Sequence, residues 1–445
     1  MKKVLVFTRP FTDEFCKLYK DSENDIIYIS DFKGFSELDP MSYIYNNWDK
    51  IRDDEFFEDF DYYEIIMRDR YLRYLQLDIS KKLINGVWTF LEKVFRDFKF
   101  TSYIGLPVDN YIQHLIVLKC NLNSIKCITP AQSPLPLKMR ITNLGEYIKC
   151  RDVEIKEIEN IYKILIEKKF RPIWLNNKRD KKKIFFLYIK ERIKKLIFTY
   201  KKFSTKDPYS FHYNCIYPMK GSITIHSLNV LDVNKLFVSN YENIIKISKK
   251  FKNIVYFPLQ FNPEQTINYL IKDYNFGQYD LLIDRLMESI SKDTLLIVKE
   301  HPDIYGYRCK SFYKKFLNKD NILLIDVGIS TNEILELSDY LVVTGSASTG
   351  IEAIVKNKTV ISLGGAFYSM NGKYCHQITD FKDVKNINNY FKNIILTKDE
   401  KYNFIKYILE NTLDLNYEHF VRAKKSDYSI NCNTTKKILE FMENK

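Results

Sequence analysis

The sequence predicts an α/β protein, because its second half alternates short apolar segments with helical patterns and its clearest stretch reads strand, turn, helix, strand. The apolar segments are rich in Val, Ile and Leu, as is typical of strands buried on both faces of a parallel sheet. Their regular alternation with helices favours a doubly wound parallel domain. The predicted strands are 254–258, 295–299, 322–326, 340–344 and 360–363, and the predicted helices are 279–290, 311–317, 331–337 and 349–356.

The first half of the chain carries weaker signals of the same kind. Residues 21–78 are acidic and rich in Tyr and Phe, and the order of their strand and helix patterns does not follow from the sequence. The other predicted strands are 3–8, 101–106 and 124–129, and the other predicted helices are 80–98, 110–119 and 152–169.

The charge of the chain indicates which partners to expect, and its cysteines indicate the compartment. A net charge of +13 and a pI of about 9.0 indicate attraction to nucleic acid, to an anionic membrane face or to phosphorylated substrates. The eight cysteines lack the close spacing of a zinc or redox motif and are typical of reduced thiols in a cytoplasmic protein. No apolar stretch has the length of a membrane-spanning helix, so any membrane contact is expected from the surface.

Residues 178–206 are the most basic part of the chain and interleave Lys and Arg with Ile, Leu and Phe. A basic amphipathic helix of this kind suits the anionic inner face of the plasma membrane, where each basic residue contributes about 1 kcal/mol. A solvated face on a core-packed helix explains the pattern equally well. No nucleic-acid-binding signature accompanies the charge, so nucleic acid is the least favoured partner.

Residues 338–367 place small residues at a predicted strand-to-helix turn. Backbone N–H groups and hydroxyls at the start of a helix suit an anion such as phosphate. Glu352 follows inside the first helical turn, where its carboxylate is expected beside a sugar hydroxyl. Small residues also serve close packing, and Ser or Thr before a helix is often only an N-cap. The residues concerned are Gly345, Ser346, Ala347, Ser348, Thr349 and Gly350.

Four polar loops are expected to meet at one edge of the predicted sheet, because parallel strands all point the same way. His301 and Lys299 are suited to donate to phosphate oxygens, and Glu352 to accept from ribose hydroxyls. The convergence predicts a nucleotide-phosphate site, while the absence of G-x-G-x-x-G and G-K-[ST] motifs argues against dehydrogenases and P-loop proteins. The loops read FPLQFNPE with Gln260 and Glu264, KEHPD with His301 and Pro302, TGSASTGIE with Glu352, and LGGAFYS with Gly364 and Gly365.

Together these segments resemble the bacterial capsule and surface-polysaccharide glycosyltransferases, the group that includes the capsular Kdo transferases. The resemblance implies the glycosyltransferase B (GT-B) fold, in which two Rossmann-like domains face a cleft and C-terminal helices cross back. It also implies that the C-terminal domain holds the nucleotide-sugar and the N-terminal domain the acceptor. The expected domains are an acceptor-side domain at 1–245, a nucleotide-sugar domain at 246–410 and a helical tail at 411–445.

The resemblance also assigns roles to single residues. His301 and Pro302, together with the turn 346–349, are similar to the CMP-binding pair of bacterial sialyl- and Kdo transferases. Leu259 stands where the Kdo enzymes have a catalytic carboxylate, which argues against their retaining mechanism. The remaining matches are Glu352 to a ribose ligand, Gln260 to a glutamine of the first-loop motif, and Glu264 to an acidic position four residues later.

We therefore expect a metal-independent glycosyltransferase that needs no cofactor. It would move a sugar from a nucleotide-sugar, with a CMP-linked donor favoured, to a capsular, surface-polysaccharide or lipid-linked acceptor at the cytoplasmic membrane face. His301 would stabilise the phosphate charge of the leaving nucleotide, and Glu264 is the favoured acid–base residue. Further candidates are Asp13, Glu14 and Asp109 as the base, and Arg308 as a phosphate-supporting or merely surface residue.

Two alternatives stay open from the sequence. A teichoic-acid-type polyol phosphotransferase would use a similar fold and histidine motifs with a CDP-polyol donor. A non-catalytic assembly subunit would bind nucleotide or polysaccharide without turnover, and Leu259 favours this alternative.

Overall fold

The computed structural model divides the chain into two compact units. The described residues of the first unit come from Met1–Asp152 and Glu410–Lys445, and those of the second from Val153–Tyr200 and Tyr217–Leu409. Asp13, Glu14 and the basic segment 178–206, apart from Ile189 and Ile193, lie outside the described residues. The structure describes residues 2–12, 23–135, 137–167, 189, 193, 234–262, 264–302, 308, 310–415 and 428–443.

The first unit is built on a six-stranded sheet with the order β12-β5-β4-β3-β1-β2. The strands β2, β1, β3 and β4 are parallel to one another, whereas β5 and β12 run antiparallel to their neighbours. The strands are β1 (Lys3–Phe7), β2 (Asp25–Ile29), β3 (Ser102–Ile104), β4 (Lys126–Gln132), β5 (Met139–Thr142) and β12 (Thr412–Leu413).

Helices of the first unit pack on this sheet through apolar stripes. The longest of them buries Leu83, Val87 and Leu91 completely, at the spacing of one helix face, and ends at Lys99 in the left-handed conformation. The helices are α1 (Pro40–Asn46), α2 (Tyr62–Arg68), α3 (Leu77–Phe98), α4 (Tyr111–Leu122) and α13 (Tyr428–Glu443).

The second unit has a six-stranded sheet in which every strand is parallel to its neighbours, with the order β8-β7-β6-β9-β10-β11. Renumbered within the unit this order is 3-2-1-4-5-6, the order of Rossmann folds, so the sequence prediction of a doubly wound domain is confirmed. The strands are β6 (Asn253–Pro258), β7 (Thr294–Lys299), β8 (Ile322–Ile325), β9 (Tyr340–Thr344), β10 (Thr359–Leu363) and β11 (His376–Ile378).

Helices of the second unit connect these strands or flank them in the chain. Glu333 helps to fix the start of one helix, because its carboxylate accepts from the Ser330 N–H (3.1 Å). The helices are α5 (Ile155–Ile166), α6 (Tyr241–Ser248), α7 (Gln265–Asn268), α8 (Tyr279–Ser289), α9 (Lys310–Lys314), α10 (Thr331–Leu337), α11 (Ser348–Val355) and α12 (Lys398–Glu410).

The division into units differs from the expected boundary at 245, whereas the second unit ends at Leu409, within one residue of the boundary expected at 410. Both α5 and α6 belong to the second unit, where α5 packs against α11 and buries Ile158, Ile161 and Leu165. The chain returns to the first unit at its end, because Thr412 and Leu413 pair with β5. A strand of two residues carries no periodicity, so this pairing leaves no trace in the sequence.

Membrane-spanning helices were sought in the part of the chain that the structure describes. None of its helices combines the length and the apolar character that crossing a bilayer requires.

Candidate nucleotide-binding site

Four neighbouring strands of the second unit deliver their following loops to one edge of the sheet. β6 pairs with both β7 and β9, and β9 also pairs with β10, with Pro258 beside Lys299 and Thr344 beside Leu363 at the strand ends. The order of the strands reverses between β6 and β9, and open α/β sheets bind their ligands outside the carboxyl ends of the strands at such a point. The loops after β6 and β9 therefore flank the expected binding crevice.

Contacts between the loops join them along this edge. The Phe367 N–H donates to Ser346 Oγ (3.1 Å), which ties the loop after β10 to the loop after β9. The Leu259 N–H donates to the Lys299 carbonyl (2.8 Å), and the rings of Phe261 and His301 meet edge to face with centroids 5.9 Å apart. The convergence predicted from the sequence is thus present in the folded unit.

Gly345 begins the turn after β9, and its backbone requires glycine. Its φ of +59° is in the left-handed region, and a Cβ there would lie 3.2 Å from the Thr266 carbonyl oxygen and 3.1 Å from Ile271 Cγ2. The close approach lets the segment after β6 pack directly on the turn.

The first residues of α11 supply the donors that this turn offers. Ser348 and Thr349 are half-buried, and within the described part of the chain neither hydroxyl makes a hydrogen bond. The first N–H groups of a helix have no intrahelical partners and carry partial positive charge. The arrangement fits the anion site predicted from the sequence.

Gly350 has a packing role in the structure. A Cβ at this position would lie 2.1 Å from the hydroxyl oxygen of the buried Tyr368, which donates to the Ala347 carbonyl (3.1 Å). The sequence left open that small residues at this turn serve close packing. At Gly350 close packing accounts for the glycine.

We expect Gly350→Ala to lower the free energy of unfolding by about 1–3 kcal/mol, because the new methyl group overpacks the Tyr368 ring. In a Tyr368→Phe background the same substitution should cost less, since the clashing oxygen is gone. Urea unfolding of the four proteins of this double-mutant cycle measures the coupling. An equal loss of unfolding free energy in both backgrounds would contradict the assignment of Gly350 to packing against the Tyr368 hydroxyl.

Glu352 is a buried carboxyl group in α11, which begins at Ser348, one residue before the start that the sequence predicted. Only 6% of the residue is exposed. Burial raises the pKa of its carboxyl group to about 7, and the Lys356 charge opposes this only in part. The Lys356 ammonium itself donates to Asn332 Oδ1 (2.6 Å). Near neutral pH the group therefore exists in both protonation states.

Lys299 is buried at the end of β7, where its ammonium group contacts the protein. It donates to the Ile329 carbonyl (2.5 Å) and to Thr331 Oγ1 (3.1 Å), both of which follow β8. At least two of its three donors are therefore used within the fold, which argues against the predicted donation to phosphate oxygens.

His301 and Pro302 follow at the same edge and are half-buried. The His301 N–H donates to Glu300 Oε1 (2.7 Å), so its backbone is held while its ring packs against Phe261. The structure thus brings His301 next to the loop that contains Gln260, as the sequence predicted.

Gln260 is held through its backbone, because its N–H donates to the Tyr279 hydroxyl (2.6 Å). Leu259, beside it, is 1% exposed and belongs to the apolar core. Glu264 is exposed directly before α7, and its carboxylate accepts from the Thr266 hydroxyl (2.8 Å). The catalytic role of Glu264 stays a prediction.

Sequence reasoning missed the importance of Glu300 and placed Arg308 either at the phosphate or on the surface. The two form an ion pair at 2.8 Å, with 0% of the Glu300 side chain and 11% of the Arg308 side chain exposed. The only sequence signal is a glutamate directly before His301 and an arginine seven residues after it.

Asp109, a candidate base of the first unit, lies after β3 and is engaged by two arginines. Its carboxylate is 2.8 Å from Arg9 Nη2 and 3.1 Å from Arg70 Nη2. Among the described residues, no group of three or more His, Cys, Asp and Glu side chains is arranged to hold a metal ion.

These features define a Rossmann-like α/β unit with polar loops gathered at its switch point. Residues 213–429 match the family described as "Capsule polysaccharide biosynthesis protein". The predicted resemblance to capsule and surface-polysaccharide biosynthesis proteins is therefore confirmed over this part of the chain.

Solved structures with similar architecture were also found. A beta Kdo 2,4 transferase, KpsC of Thermosulfurimonas dismutans, aligns with a TM-score of 0.39 and 11% identity over 91% of this chain and 89% of its own. The UDP-GlcNAc 2-epimerase of Methanocaldococcus jannaschii aligns with a TM-score of 0.27 and 12% identity over 91% and 99%. A comparison with curated proteins found no match. The fold assignment rests on the strand order described above.

Proposed function

We propose that this protein is a glycosyltransferase that moves a sugar from a nucleotide-sugar to a surface or capsular polysaccharide or to a lipid-linked acceptor. The observation that carries the proposal is the capsule-biosynthesis match, which spans the polar loops of the second unit. A CMP-linked donor is favoured, because His301 with Pro302 and the turn 346–349 are similar to a CMP-binding pair. The reaction would need neither a metal ion nor another cofactor.

In the proposed reaction each group would have a part. The N–H groups and hydroxyls at the start of α11 would hold the nucleotide phosphate, and His301 would face the same group from the loop after β7. Negative charge on the leaving phosphate grows as the bond to the sugar breaks, so donors fixed around it lower the barrier. Glu352 would accept from the ribose and Glu264 would serve as acid–base residue, while the basic segment 178–206 would bring the protein to an anionic membrane face.

We expect a cytidine or uridine nucleotide to raise the melting temperature of the protein. A ligand at about one hundred times its Kd adds about 2.7 kcal/mol to the free energy of unfolding. Thermal unfolding with CMP, UMP, CDP and UDP in turn measures the effect. His301→Ala should abolish most of it, whereas His376→Ala, a change at the edge strand β11 of the same unit, should leave it intact.

Product analysis with CMP-, CDP- and UDP-linked donors decides between the alternatives. A transferred sugar supports the proposal, and a transferred polyol phosphate would replace it with the phosphotransferase function. Nucleotide binding without any product from an extended panel of donors and acceptors would favour the non-catalytic subunit.

A further inference from the structure

The Arg308 guanidinium links the loops after β6 and β7, and it forms a buried ion pair with Glu300 of its own loop. Glu300 Oε2 accepts from Arg308 Nε (2.8 Å) and from the Tyr313 hydroxyl (2.8 Å). Arg308 Nη2 also donates to the backbone carbonyl of Gln260 (2.7 Å). A single guanidinium group therefore bridges a side chain of one loop and the backbone of the other.

His301 is held from both loops, through its backbone and through its imidazole ring. Its backbone N–H donates to Glu300 Oε1 (2.7 Å), and its imidazole packs edge to face on Phe261, the residue after Gln260. One path therefore holds the backbone of His301, and the other path holds its ring. Because both paths meet at Arg308 and Glu300, a change at either residue shifts both supports of the imidazole.

Arg308 itself is poorly placed to bind a phosphate. Its guanidinium carbon lies 5.2 Å from the Tyr279 ring centroid and 4.7 Å from the Phe312 ring centroid. Burial disfavours its charge, but the Glu300 carboxylate offsets this, so the pKa of the guanidinium is raised. The charge is thus compensated inside the fold by Glu300.

We propose that Glu300 and Arg308 are positioning residues, which set the orientation of His301 and of the Gln260 backbone toward the nucleotide phosphate without touching it. The inference rests on the proposed function for the identity of the ligand. The placement of the His301 ring is a property of the free protein and is measurable without any ligand.

The test compares Glu300→Gln and Arg308→Lys with wild type in two measurements. The first is the affinity for the tightest binder among CMP, UMP, CDP and UDP, by isothermal titration calorimetry. We expect each variant to bind about tenfold more weakly, which corresponds to about 1.4 kcal/mol. The second is the imidazole signal of His301 in the nucleotide-free protein by NMR, which should move in both variants while that of His376 stays in place.

A matched control is Lys315→Gln, which removes a partly exposed ion pair with Asp280 and Asp284 in the same unit. It should change neither measurement. If Glu300→Gln does not fold, the same two measurements are made on Arg308→Lys and Tyr313→Phe. The substitution Tyr313→Phe removes one hydrogen bond to the Glu300 carboxylate.

The two measurements separate the outcomes. A weaker affinity with an unmoved His301 signal overturns the inference, because Arg308 then acts on the nucleotide directly. A moved signal with unchanged affinity also overturns it, because the positioning then has no consequence for binding. If wild type binds none of the nucleotides, the proposed function fails, and an unmoved His301 signal would remove the positioning role as well.

Discussion

Glu352→Gln should make the protein more stable at pH 8 and remove a pH dependence that wild type shows. The carboxyl group has an ordinary pKa of 4.5, which applies to the unfolded chain, and a pKa of about 7 in the fold. Between these values the folded protein keeps a proton that the unfolded chain has lost, so stability is full below about pH 4.5 and falls as pH rises toward 7. The two pKa values differ by about 2.5, and at about 1.36 kcal/mol for each unit of pKa the loss is about 3 kcal/mol.

Urea unfolding of wild type and Glu352→Gln at pH 5 and pH 8 measures this effect as a difference between the two proteins. Glutamine cannot ionise, so the contribution of this position becomes the same at both pH values. Glu400→Gln is a control that should not change the difference between pH 5 and pH 8, because the N–H and hydroxyl of Thr397 lower the pKa of the Glu400 carboxyl group and its effect on stability falls below pH 5. Parallel pH curves for wild type and Glu352→Gln would show that the group is ionised in the fold without penalty.

The sequence predicted the second unit closely because its strands are buried on both faces. The run Tyr340–Thr344 is apolar throughout and was placed to the residue, as was the helix Thr331–Leu337. The first unit was harder to predict, since β5 contains the buried Arg140, whose side chain donates to Asn411 from the far end of the chain (3.0 Å). A charged residue inside a strand carries no apolar pattern, and a partner 271 positions away leaves no local signal.

The candidate site was predictable as far as strand direction determines it. The carboxyl edge of a parallel sheet gathers its loops whatever their side chains do, so His301, Gln260 and Gly345 were expected together. Which side chains are available for a ligand depends on the hydrogen bonds and ion pairs that they form within the fold. Lys299 is turned to the loop after β8, and the ion pair of Glu300 and Arg308 is buried beneath the loops. The letters KEH are equally consistent with a solvated turn.

Arg9→Met should destabilise the first unit by about 3–5 kcal/mol, the cost of breaking a buried ion pair on one side. Arg9 follows β1, and its Nε and Nη2 donate to the Asp31 carboxylate (3.0 and 2.6 Å), with 3% and 0% of the two side chains exposed. Removing the guanidinium leaves Asp31 with Asn110 Nδ2 (2.5 Å) as its remaining side-chain partner in the described part of the chain. A buried carboxylate without a cation must take up a proton or pay the cost of desolvation.

The double substitution Arg9→Met with Asp31→Asn should recover part of this loss, because no buried charge then lacks a partner at Asp31. Arg52→Met is the matched control, since its pair with Asp54 (2.6 Å) is 72% and 65% exposed and such surface pairs contribute little to stability. Chemical denaturation followed by circular dichroism compares the four proteins. A loss for Arg9→Met no larger than that for Arg52→Met would mean that water reaches Asp31 and solvates its charge. The polar cluster at the carboxyl edge of the first sheet would then be open to a ligand instead of being a closed part of the core.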